Sequence, residues 1–68
     1  MDHNEAIRKV ERLFEREADH AHEVVVELEA MVPLLPNEPS RQLARQQIKT
    51  SRNQARDFRD LAQKIKET

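Results

Sequence analysis

The chain contains no cysteine, glycine, tryptophan or tyrosine, and each absence closes off a class of structure or chemistry. Without cysteine there is no disulfide framework, no thiolate metal site and no thiol nucleophile. Without glycine, and with only three prolines, the tight turns of β-hairpins have almost no material. Two phenylalanines are the whole aromatic content, which leaves little for base stacking. The longest apolar run is Val24-Val25-Val26, against the roughly 20 residues a membrane-spanning helix needs. Met1-Asp2-His3-Asn4-Glu5 has neither the basic start nor the apolar stretch of a leader. Charge of neither sign prevails: 37% of residues are charged, yet the net charge is −1, so no strongly basic or acidic partner is implied. The expectation is a cytoplasmic, all-α protein with no membrane partner and no cofactor.

Enough apolar material is present to fold it. Leu, Ile, Val and Phe make up 16 of the 68 residues, above the roughly 20% below which a highly charged chain stays disordered. All three prolines fall in Pro33-Leu34-Leu35-Pro36-Asn37-Glu38-Pro39. Proline removes a helix donor and disfavours helix at the residue before it, so 33–39 reads as a hinge. Helices are predicted over about 3–32 and 38–67. Asp2 with Glu5 resembles a capping box, and Asn37 or Ser40 can cap the second helix with Pro39 in its first turn.

Both segments carry heptad seams. Ile7, Val10, Phe14, Glu17, Ala21, Val24, Leu28 and Met31 alternate spacings of three and four, as do Ala44, Ile48, Ser51, Ala55, Phe58, Ala62 and Ile65. Residues 17–32 sum to −5 and residues 41–56 to +5, while the outer segments 1–16 and 57–68 are neutral. Folding the chain back near position 36 makes residues whose numbers sum to about 72 into neighbours. The acidic half-helix then meets the basic one, Ile7 meets Ile65, Phe14 meets Phe58, Val24 meets Ile48 and Leu28 meets Ala44. Agreement of charge and packing favours one antiparallel two-helix hairpin, a single domain over 1–68.

A hairpin this small is marginal alone, and the first helix has apolar surface to spare. Ala18, Val25 and Val32 form a second line seven residues apart, Leu13 flanks the seam on the other side, and Leu34 and Leu35 make an apolar tip at the hinge. These six residues are the expected interface, either of a homodimer forming a four-helix bundle or with a heterologous helical protein. That bundle resembles the plasmid copy-number RNA-binding hairpins, a likeness of shape with no shared motif.

Two further features bear on function. Glu17, the one charge on the first seam, lies one turn from His20, and this Glu-x-x-His spacing occurs in carboxylate-bridged metal bundles. Two copies would gather two glutamates and two histidines, a ligand set suited to Zn²⁺, Fe or Mn. The competing reading is a polar layer in which Glu17 bonds to Ser51, Arg52 or Arg56 and fixes register. On the second helix, Arg41, Arg45, Lys49, Arg52, Arg56 and Arg59 form one basic stripe, a possible track for a nucleic-acid backbone. No nucleophilic triad or glycine-rich phosphate loop is present, so no enzyme is expected. A structural or protein-interaction module is the leading expectation, with a nucleic-acid-binding regulator and a metal-binding bundle as alternatives.

Overall fold

The computed structural model describes residues 2–68, which form two helices joined by a short turn. Helix α1 spans His3–Met31 and helix α2 spans Glu38–Lys66, with a single 3-10 turn, Val32–Leu34, between them. The side chain of Asp2 accepts the Glu5 N–H at 2.8 Å, satisfying one of the unpaired donors at the start of α1. Leu35, which precedes Pro36, is extended, as proline demands of the residue before it. Asn37 caps α2: its Oδ1 accepts the Ser40 N–H at 2.9 Å, and Ser40 Oγ donates back to the Asn37 carbonyl at 2.9 Å. Pro39 stands in the first turn, where its missing N–H costs nothing. The guanidinium of Arg41 donates to the Leu35 carbonyl at 2.9 Å and ties the turn to α2.

The helices pack antiparallel along their whole length, giving a body 53 × 15 × 12 Å in extent. The seam of α2 is the predicted one: Ile48, Ser51, Ala55 and Ala62 are buried, and Ala44, Phe58 and Ile65 are half-buried. Phe14 and Phe58, whose numbers sum to 72, stack at a tilt of 31° with ring centroids 6.3 Å apart. Small residues dominate the middle of the interface, where Ala18, Ala21, Ser51 and Ala55 are all buried. Side chains this short let the two backbones approach closely, but they bury little apolar area.

The seam of α1 departs from the expected one by a rotation. Ala18 and Val25 are buried, whereas Glu17 and Met31 are exposed and Val24 is only half-buried. Glu11 and Val32 are half-buried on the same line. The contact line therefore centres on 7, 11, 14, 18, 21, 25, 28 and 32; of the expected line, Val10 and Val24 stay half-buried at its edge, while Glu17 and Met31 leave it. Both lines keep the spacing of a heptad and share Ile7, Phe14, Ala21 and Leu28, so periodicity alone does not separate them. Desolvation does: the expected line would place Glu17 in the narrow middle of the interface. The observed line places Ala18 there and moves its one acid, Glu11, to the open end. There Lys66 Nζ approaches its Oε2 to 3.1 Å.

Candidate interaction surface

Rotation of the seam leaves the hairpin with two long faces of opposite character. On one, α1 and α2 are bridged by charge: Glu29 meets Arg52 at 3.0 Å and Glu11 meets Lys66 at 3.1 Å, with Arg45, Lys49 and Asn53 alongside. On the other lies a shallow groove lined by Glu17, His20, Ala21 and Val24 from α1 and by Gln47, Ser51, Gln54 and Phe58 from α2. Gln47 Nε2 donates to Ser51 Oγ at 3.1 Å, so the one buried hydroxyl of the seam is satisfied from this side.

Seven-residue steps extend the groove in both directions, because residues seven apart repeat their place on a helix. Val10 and Met31 continue the line of Glu17 and Val24, Leu13 stands one heptad before His20, and Leu61 one heptad after Gln54. Leu43 lies one residue outside the α2 seam on this same side. Leu13, Met31, Leu43 and Leu61 are all exposed, Leu43 to 68%, and Leu34 at the hinge is exposed to 74%. The face therefore carries an apolar patch at each end and a polar belt of Glu17, His20 and Gln54 between them.

Several expected site residues sit elsewhere. Ala18 and Val25 are consumed inside the hairpin and Val32 is half-buried beside them, so these three build the intramolecular core. Leu13 and Leu34 remain open, while Leu35 is half-buried. Leu43 and Leu61 belong to the exposed face and escaped the sequence reading. Their line on α2 is interrupted by Gln47 and Gln54, and its repeat becomes visible only once the seam is known.

Glu17 and His20 are brought together on the groove, both exposed. Arg52 is turned to the opposite face by Glu29, and Arg56 lies against Asn53 and Asp57, so neither joins Glu17 in a polar layer. Among the described residues, no group of three or more histidine or acidic side chains is placed to hold a metal ion. The basic stripe is largely engaged within the chain. Glu38 receives Arg41 at 3.1 Å and Arg45 at 2.9 Å, and hydrogen bonds from Arg45 first and Arg41 second hold its carboxyl below the usual carboxylate range. Lys49 and Arg59 remain exposed.

The chain matches no protein-family model, and no curated protein or solved structure is significantly similar to it. None of the helices among the described residues is long and apolar enough to cross a membrane.

Proposed function

We propose that the protein is a non-enzymatic interaction module of the cytoplasm, a helical hairpin that self-associates through its groove face into a four-helix bundle. One observation carries this reading: four large aliphatic side chains lie exposed on one face of the hairpin, while its buried core is mostly alanine. Leu13, Met31, Leu43 and Leu61 are exposed on one face, while four of the six buried apolar residues among the described ones are alanine. Full burial of a Leu or Met side chain contributes about 1.5–3 kcal/mol. A hairpin that leaves four of them in water on one side has the pattern of half a bundle. Absence of cysteine suits a reducing compartment.

Sedimentation equilibrium tests the proposal. The expected mass is twice the 8.0 kDa of one chain. Leu43→Asp and Leu61→Asp should each lower it toward one chain, with helical circular dichroism retained because both positions lie outside the hairpin seam. A wild-type mass of one chain at high concentration would rule out self-association. The same face would then be left to a heterologous helix.

A further inference from the structure

We infer that the back of α1, the side turned away from α2, is a contact surface for the same side of α1 in a second copy of this chain. The two helices run antiparallel, with residues whose numbers sum to 35 facing one another. No residue of the groove belongs to this line, so the inference goes beyond the reading above and does not rest on it.

The seam itself locates the surface. A residue two places before a seam residue lies about 200° around the helix from it, on the far side. Two places before 7, 11, 14 and 18 stand Glu5, Lys9, Arg12 and Arg16. Two places before 21, 25, 28 and 32 stand Asp19, Glu23, Val26 and Ala30. All eight are exposed, and they repeat the three-and-four spacing of a heptad line. Cations fill one half of this line and acids begin the other. Among the described residues, none of Lys9, Arg12, Arg16, Asp19 and Glu23 meets an opposite charge. Arg8, Arg12 and Arg16 follow one another at one-turn spacing, as do Asp19, Glu23 and Glu27. Like charges so placed repel, and a neighbouring helix of opposite sign relieves both runs at once.

Such a helix is present in a second copy, and charge selects both its direction and its register. Subtracting each number of the line from 35 returns another number of the line, so the surface is its own antiparallel complement. Arg16 then faces Asp19 and Arg12 faces Glu23, each pair formed twice by the two-fold axis. Towards the ends, the aliphatic stem of Lys9 covers Val26, 55% exposed in the single hairpin, and Glu5 meets only Ala30. A parallel pairing would set every residue on its own copy, cation on cation and acid on acid. Slipping the antiparallel pairing by one heptad fails too: one direction sets Arg12 on Arg16, the other Asp19 on Glu23. Complementarity of this kind fixes orientation more than it raises affinity. Exposed ion pairs are individually weak and are screened by salt, so the contact forms at low ionic strength. The hairpins meet back to back, with each α2 on the outside.

Sedimentation equilibrium at about 20 mM and about 0.5 M salt separates this contact from the groove, because salt screens exposed charges and leaves apolar burial in place. The high-salt mass reports the groove alone: two chains of 8.0 kDa if that reading holds, one if it fails. In either case the low-salt mass should be higher. Two double variants then test the pairing itself. Arg12→Glu with Arg16→Glu, and Asp19→Lys with Glu23→Lys, each set like charge on like and should stay at the high-salt mass in low salt. An equimolar mixture of the two makes every central pair opposite again and should regain the low-salt mass of the wild type. Circular dichroism checks that the helices persist, and Arg12→Gln with Arg16→Gln should give the same loss without a new repulsion. An anionic polymer seated on the cations would instead be indifferent to Asp19 and Glu23, or helped by their reversal. An equal wild-type mass at both salts, a double variant that still assembles alone, or a mixture no heavier than its components would each overturn the pairing, leaving the groove reading untouched.

Discussion

Glu11 and Lys66 form an ion pair at 3.1 Å across the open end of the hairpin, and the glutamate is the more enclosed partner, with 18% of its side chain exposed. Exposed and half-exposed pairs contribute little, so Lys66→Ala should cost no more than about 1 kcal/mol. Removing the charge altogether acts differently, because Glu11 occupies a seam position beside buried Ala62. Glu11→Leu should raise the melting temperature, since an apolar side chain there adds burial and removes desolvation. Thermal unfolding followed at 222 nm measures both, and a lower melting temperature for Glu11→Leu would contradict its place on the seam.

The rotated seam makes opposite predictions for two adjacent residues. Ala18→Leu should destabilise the hairpin by about 1–3 kcal/mol, because Ala18 is fully buried between the helices and three more carbons would overpack it. Glu17→Leu should leave the hairpin intact and strengthen self-association, since it converts the polar belt to an apolar one. Urea titrations of the two variants at equal concentration separate these effects, and the wrong order would restore position 17 to the core.

Glu38 gives a pH dependence with a definite sign. Its carboxyl titrates below the usual range when folded, through hydrogen bonds from Arg45 and then Arg41. The unfolded chain therefore binds a proton at higher pH than the folded chain does. The contribution is complete above the ordinary carboxylate range and is lost as pH falls through it to the lowered folded value. In Glu38→Gln the fall in melting temperature between about pH 5 and pH 3 should be shallower than in the wild type. Identical acid limbs would show that the two arginines do not engage Glu38 in solution.

Helix capping at the hinge offers a fourth test. Asn37 Oδ1 holds the Ser40 N–H at the start of α2. Asn37→Ala should cost about 1 kcal/mol and Asn37→Asp almost nothing, as expected of a cap that accepts a backbone hydrogen bond. Equal losses for both would point to a different role for the amide.

Much of this fold is legible from residue spacing. Pro33, Pro36 and Pro39 mark the hinge, Asp2 and Asn37 mark the helix starts, and the sum near 72 sets the pairing of Phe14 with Phe58. The one-residue choice between the lines through Glu17 and Ala18 is not legible, because both satisfy the same repeat. It depends on how closely the helices approach, a three-dimensional quantity that the alanines of both helices determine together. The candidate surface inherits that ambiguity. Choosing Ala18 for the core moved Val25 and Val32 inward and left Leu43 and Leu61, unremarkable in the sequence, as part of the open face.

The short turn Val32–Leu34 and the constant sum of paired residue numbers also constrain the order in which the molecule can fold. Each cross-helix contact encloses the ones nearer the hinge, so Leu28 and Ala44 need close a far shorter segment than Phe14 and Phe58 do. Loop-closure entropy rises with the logarithm of that length, which makes the hinge-proximal contacts the least costly nucleus. The remaining pairs can then add outward in succession, like the teeth of a zip. Changes near Asn37 and Arg41 should therefore slow folding, whereas changes at the Glu11–Lys66 end should mainly hasten unfolding.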